Sequence, residues 1–410
     1  MSAPPVAIAG PIAEAVAAMG RGPLTDAGVR DHLAPLFSRV LARDEIYLAN
    51  HSLGRPPDVM AEDVRRAVDL WYTDMDAAWE DWLAAIEGFR ARVGALVGAG
   101  SPDRIVPKTN AGQGLRAALN ALPSTRPNIV ATSGEFDSVD VILKAYRDRG
   151  KASVRFVEPR EGGMFDARDV VEAIGDRTDL VVVSQVFFTT GQVLADLEKI
   201  VDRVRAVGAR VLVDTYHSAG VMPVDLEGLD ADFAIGGSYK YTRGGPGACW
   251  MYVGPSVIDD PTTRPVDTGW FAKAEPFAYE RADHTRFAEG GDAWLESTPP
   301  FLTAYQAKAG LDFTLAVGVE RLREQNLAQQ RTLANALRAR GVTVREIADR
   351  GAFLLVPHED ATGLCAALRQ RGVNTDARGG CVRFGPDALN TEAELVEAAD
   401  RCAAAIQALG

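Results

Sequence analysis

"RVLVDTYH", residues 210–217, sets the fold. Its apolar, β-branched run does not alternate with polar residues, so both faces of the strand are buried, and it stops at Asp214. Five further runs share this character: "NIVAT" from 128, "VRFVEP" from 154, "LVVVSQV" from 180, "DFAIGGS" from 232 and "CWMYV" from 249. Helical spacing at 138–149, 166–174 and 194–207 separates several of them. Continuous apolar strands alternating with helices predict an α/β fold, a mostly parallel sheet covered on both sides.

Outward from this centre the pattern changes. Residues 58–98 place Leu70, Trp71, Trp79, Trp82, Ile86 and Phe89 at helical intervals, predicting one or two amphipathic helices. Residues 262–300 read as loops, and a long helix is expected over roughly 302–340. Short strands, "AFLLVP" and "CVRFGP", then mix with helices at 361–371 and 391–408. The expected organisation is an N-terminal segment, 1–57, packing on two domains. These are a large one, 58–300, and a small C-terminal α/β domain, 301–410.

Composition narrows the function. The 410 residues are 47% hydrophobic and 24% charged, with a net charge of −12, so no basic surface for nucleic acid or anionic membranes is expected. Cys249, Cys365, Cys381 and Cys402 show neither CxxC spacing nor nearby histidines, which points away from a metal site or a disulfide framework. The N-terminus lacks a basic leader region, and no apolar run is long enough for a membrane helix. A cytoplasmic protein is expected.

In such a sheet, ligands sit at the carboxyl ends of the strands. Ser184, Asp214, His217 and Lys240 fall there. A carboxylate at the rim of a buried sheet requires a cationic or proton-donating partner, either a protonated ring nitrogen of a cofactor or a structural arginine. Lys240, in "GGSYKYTRGGPG" (236–247), reads as an anion binder, an ion-pair member or a desolvated nucleophile. The glycines after it allow the backbone to pass close to a ligand. "KTNAGQGLRAALNAL", 108–122, leads polar residues into a helix start, a geometry suited to phosphate. Neither a Walker A string nor a GxGxxG after the first strand is present, which argues against a nicotinamide-dependent oxidoreductase.

Together these segments resemble the class V aminotransferase group of pyridoxal-phosphate enzymes, fold type I, and kynureninase in particular. "SYKY…GGPG", "VDTYHSAGVMPVDL", "YLANHSLGRPP", "TTGQ", "GWF" at 269–271, "TPP" at 298–300 and "VRFGP" at 382–386 follow the family's order from about 47 to 386. The resemblance implies a large domain with a seven-stranded type of sheet, a small C-terminal domain, and a homodimer with shared active sites. It makes Lys240 the lysine that carries pyridoxal 5'-phosphate. Asp214 would hold its pyridine nitrogen protonated, and His217 would lie on its O3' side. Phe136 would stack on the ring, with Ser184 close by. Tyr239 and the backbone of Asn110 and Ala111 would hold the phosphate, and Trp270 and Thr298 would reach the neighbouring subunit's phosphate region. Arg383 would grip the substrate's α-carboxylate, with Ser52 and His51 in a substrate loop. The implied reaction is hydrolytic Cβ–Cγ cleavage giving alanine and an aryl acid. Transamination, C–S lysis, or a binding protein without turnover are the alternatives.

The sequence also departs from that pattern. The family's "GNSLG" is "NHSLG" here, and "FPSD" is "FDSVD", which leaves Asp137 and Asp140 without a settled role. No histidine occurs between His51 and His217, where an aryl-contacting one is expected; Trp71, Tyr72 and Trp79 occupy that region. Phe188 replaces a tyrosine in "FTTG".

Overall fold

A computed structural model describes residues 6–279 and 281–409. A short strand, β1 (Ile46–Tyr47), precedes the main sheet. That sheet comprises β2 (Ile105–Lys108), β3 (Asn128–Thr132), β4 (Ser153–Val157), β5 (Leu180–Ser184), β6 (Arg210–Asp214), β7 (Phe233–Gly237) and β8 (Cys249–Val253). Their spatial order is β2-β8-β7-β6-β5-β3-β4. Only β8 runs against the others, because it pairs antiparallel with both β7 and β2. The protein is thus α/β with a seven-stranded, mostly parallel sheet.

Every residue of β5, β7 and β8 is buried, as their unbroken apolar runs predict. Val181, Val183, Val211 and Val213 face one core, while Leu180, Val182, Leu212 and Ile235 face the other. Alternate residues serving two helix layers explain why these strands show no polar alternation.

The expected single long helix over 302–340 is two helices, Phe301–Val317 and Val319–Ala339. Gly318 separates them at φ +91°, a conformation that interrupts a right-handed helix and favours glycine. The break changes the partner. Ala304, Ala307 and Leu311 pack in the core of the large sheet, whereas Leu333 and Leu337 pack in the C-terminal core.

The smaller C-terminal domain has β9 (Leu354–Pro357), β10 (Val373–Asn374), β11 (Asp376–Arg378) and β12 (Cys381–Phe384). An antiparallel sheet runs β11-β12-β9, and β10 pairs with β1 from the N-terminal segment. Ile46 and Leu48 therefore share a core with Val382 and Phe384. Farther upstream, Ile12, Leu24 and Phe37 pack with Phe313 and Val317. The loop after β1 lands on the main sheet's rim: Gly54 N donates to Tyr239 O at 2.8 Å. A Cβ at Gly54 would lie 1.9 Å from the Lys240 carbonyl oxygen, so only glycine permits this approach. No described helix is long and apolar enough to cross a membrane.

Candidate active site

The carboxyl ends of β5 and β6 place Ser184 beside Asp214 as register partners. The turn after β7 brings Lys240 to the same rim. Between them lies a cavity of about 250 Å³ lined by Asn110, Ala111, Phe136, Ser184, Phe188, Asp214, His217, Tyr239 and Lys240, among others. Eight of the thirteen site residues singled out from the sequence thus meet in one place, with Phe188 beside them.

Lys240 is buried, and its Nζ lies 2.7 Å from His217 Nε2. Burial pushes the Lys240 amine down to about 7, with Arg383 adding to the shift and Asp214 opposing it. Phe136 and Tyr239 stand beside the amine, their ring centroids 5.8 and 5.6 Å from Nζ. Asp214 is pushed up to about 6 by burial, against the pull of the Tyr216 N–H, which donates to Oδ1 at 2.8 Å, and of Lys240. His217 is held well below its ordinary value by burial and by Lys240. Its Nδ1 is buried without a hydrogen-bond partner.

One contributor was missed from the sequence. Glu135 is buried and accepts from Thr132 Oγ1 at 2.6 Å, Ser184 N at 3.2 Å and Ser184 Oγ at 2.6 Å. Burial raises it to about 8, with Asp214 adding to the rise, so a carboxylic acid stands behind the sheet rim at neutral pH. The Ser184 hydroxyl, 2.6 Å from Glu135 Oε2, is thereby tied to this buried carboxyl. The sequence signal was available: an acidic residue three positions after the buried β3 run must be neutral or paired.

The glycine run behaves more narrowly than expected. Only Pro246 and Gly247 line the cavity. Gly244 and Gly245 instead abut Ala307 and Gln306 of the helix Phe301–Val317, where a Cβ would come within 2.9 and 2.4 Å.

Five predicted site residues lie outside the cavity lining. Arg383 sits behind Phe188: its Nη1 donates to Phe188 O at 2.5 Å, while Nε donates to Asp376 Oδ1 at 2.8 Å. Ser52 is exposed and lines a neighbouring cleft of about 490 Å³ with Tyr47, Thr375 and Asp376. His51 is buried and bound to Asp376. Trp270 packs among Phe271, Phe277 and Tyr279, and Thr298 is exposed, so within one chain neither reaches the cavity. Asp137 is exposed and Asp140 pairs with Lys144 at 2.7 Å; Ser138 between them is the lining residue. Trp79 packs against Phe271 and Phe301, while Trp71 and Tyr72 remain largely exposed. Cys381 is buried in β12 and Cys365 is half-buried, its thiol pushed up by burial, so neither is an activated nucleophile.

The donor set fits pyridoxal phosphate. A partly deprotonated amine can hold an aldehyde, and a buried carboxylate with spare acceptor capacity can hold a ring N–H. The orphaned His217 Nδ1 lacks a partner, and the helix Ala111–Ala121 begins at the cavity, where Asn110 Oδ1 takes the Gln113 N–H and leaves those of Ala111 and Gly112 for an anion.

The aminotransferase class-V family profile matches residues 73–354, and the kynureninase C-terminal domain profile matches residues 321–402. A kynureninase from Pseudomonas fluorescens is 30% identical over 385 residues, covering 88% of this chain and 89% of the relative. One from Salinispora tropica is 30% identical over 394 residues, covering 88% and 90%. Among solved structures, a cystine C–S lyase in complex with cysteine persulfide superposes with a TM-score of 0.79 at 21% identity, covering 88% of this chain and 97% of the other. A cysteine desulfurase from Escherichia coli gives 0.79 at 17% identity, covering 92% and 98%. These two likenesses establish fold type I. The chain belongs to the class-V aminotransferase family and, within it, to the kynureninase group.

Proposed function

We propose that the protein is a pyridoxal-phosphate-dependent hydrolase of the kynureninase kind. It would add water to a γ-keto α-amino acid and cleave Cβ–Cγ, leaving alanine and an aryl carboxylic acid. The observation that carries this reading is the buried Lys240 amine, 2.7 Å from His217 and electrostatically coupled to Asp214, in a chain related to kynureninases along most of its length.

Lys240 would hold the cofactor covalently, Asp214 its ring nitrogen, and Phe136 one ring face. Asn110 and Ala111 at the helix start, with Tyr239, would take the phosphate. When bound, pyridoxal phosphate supplies an electron sink for charge developing at the substrate's α-carbon. The protein's own part is positional and acid–base. With an amine near neutral pKa, Lys240 can both remove and return a proton. His217 sits within reach of that proton and, held neutral, can accept it. Arg383 would bind the α-carboxylate and orient the α-carbon.

Apart from Lys240, no lysine or arginine lines the cavity among the described residues. A phosphate dianion in such a site calls for further donors, and a second copy supplying Trp270 and Thr298 would complete it. We therefore read the working unit as a homodimer.

The test is product analysis. Incubation with kynurenine and pyridoxal phosphate is expected to yield alanine and anthranilate in equal amounts without an acceptor. A keto acid formed only with an amino acceptor would assign an aminotransferase instead. Sulfur release from cystine would assign a C–S lyase, and no turnover on any amino acid would leave a binding protein.

A further inference from the structure

The loop after β1 delivers one more side chain to the substrate end of the site. His51 is fully buried, its Nε2 is 2.7 Å from Asp376 Oδ1, and its ring centroid is 4.9 Å from that of Phe353. The fit is close: a Cβ on Gly385 would lie 2.3 Å from His51 Nδ1. That Nδ1 has no hydrogen-bond partner, so the imidazole's one polar contact is with Asp376.

Asp376 passes the constraint on. It is the cross-strand partner of Arg383 in the β11–β12 hairpin. Arg383 Nε donates to Oδ1 at 2.8 Å, and Nη2 donates to Oδ2. The third engaged nitrogen, Nη1, donates to Phe188 O at 2.5 Å, and Phe188 lines the cavity. A guanidinium has five N–H donors. Three are used, which leaves one on each terminal nitrogen for a further acceptor.

His51 is the donor in its contact. Burial and the neighbouring Arg383 cation push the imidazole down to about 4, although Asp376 pulls the other way. Burial would raise Asp376, but His51 and Arg383 hold it well below the carboxylate range. An ionised carboxylate only accepts, so the proton sits on Nε2 and Nδ1 is bare.

We propose that His51 is a positioning residue for carboxylate recognition. It donates to Asp376 and fixes the carboxylate that orients the Arg383 guanidinium, so that the α-carboxylate of an amino acid meets two aimed donors. This rests on the reading of Arg383 as the carboxylate's partner, and the experiment separates the two.

Wild type, His51→Leu, His51→Gln and Arg383→Leu are loaded with pyridoxal phosphate, and cofactor content is measured by absorbance. KM and kcat are then measured for kynurenine, and the inhibition constant for the corresponding amine lacking the carboxylate. His51→Leu should weaken the amino acid about 10-fold, roughly the scale of one well-placed charged hydrogen bond. It should leave the amine within about twofold, and KM should rise by more than kcat falls. His51→Gln places an amide N–H where Nε2–H stood and should restore most of the loss. An equal shift for both ligands, or no shift, overturns the proposal. Arg383→Leu should abolish the preference for the amino acid over the amine. If it does not, the reading of Arg383 falls and this proposal with it. Nitrogen-15 NMR of the cofactor-free wild type needs neither a variant nor turnover. An Nε2–H tautomer at His51 is expected, and an Nδ1–H tautomer would overturn the proposal.

Discussion

Lys240 Nζ lies 2.7 Å from His217 Nε2, and both groups are held away from their ordinary charge states by burial. Two adjacent bases that both resist protonation make a site where one proton can be taken up and handed back. A surface lysine could not do this at neutral pH, since about 10.4 is its usual pKa.

The first prediction concerns that amine. In cofactor-free protein, the reactivity of Lys240 toward a small aldehyde should rise with pH around a midpoint near 7, read by mass spectrometry of the reduced product. The sign follows from the neutral amine being the nucleophile. Between about 7 and 10.4 the folded chain lacks a proton that the unfolded chain keeps, so this site's contribution to stability rises with pH there. Lys240→Met should flatten that rise in thermal melts. A reactivity midpoint near the ordinary lysine value would contradict the buried placement.

Asp214 pulls function and stability in opposite directions. Asp214→Asn keeps the shape and removes the charge, so kcat/KM should fall on the order of 100-fold or more, the scale of losing a preorganised electrostatic partner. The carboxyl is raised to about 6, so its charged form above that pH is unfavourable when no cofactor is added. Cofactor-free Asp214→Asn should therefore melt higher than wild type at pH 8. Unchanged activity in this variant would remove Asp214 from the cofactor's ring nitrogen.

Glu135→Gln tests the buried acid behind the rim. With the folded value raised to about 8, this group's stabilising contribution is complete below about 4.3 and is lost as pH climbs through 8. The glutamine variant should show a shallower decline of melting temperature between pH 5 and pH 8. Identical slopes in the two proteins would mean that Glu135 is already ionised at neutral pH.

A fourth prediction lies just beyond the catalytic lysine. Asp387 receives Arg243 Nη2 at 2.6 Å and also Arg55 Nη2, and all three residues are buried. Asp387→Ala strands two guanidiniums and should cost roughly 3–5 kcal/mol in denaturant unfolding. Arg243 follows Lys240 by three residues and adopts φ +57°, so cofactor retention should fall as well. A loss below about 1 kcal/mol would show that water satisfies both arginines in the variant.

Much of this site was legible because strand ends announce themselves. Asp214 and Lys240 each follow an apolar run that leaves nowhere for a charge but the sheet rim. Asp376 was overlooked although the sequence held a cue. In "DARGGCVR", Gly379 and Gly380 form a two-residue turn with φ +55° and +76°, which sets Asp376 opposite Arg383. His51 could not be placed this way, because its partner lies 325 residues along the chain. The Gly318 break escaped because the apolar spacing runs on through it, and only the positive φ reveals the change of partner core. Trp270 and Thr298 lie off the cavity, and their reading depends on a second copy.

The central claim is that Lys240 carries the cofactor. Protein saturated with pyridoxal phosphate is reduced with borohydride, digested and mapped by mass spectrometry. The account predicts one modified peptide, spanning "GGSYKYTR", with the reduced pyridoxyl group on Lys240. A label on another lysine, or none, would contradict it.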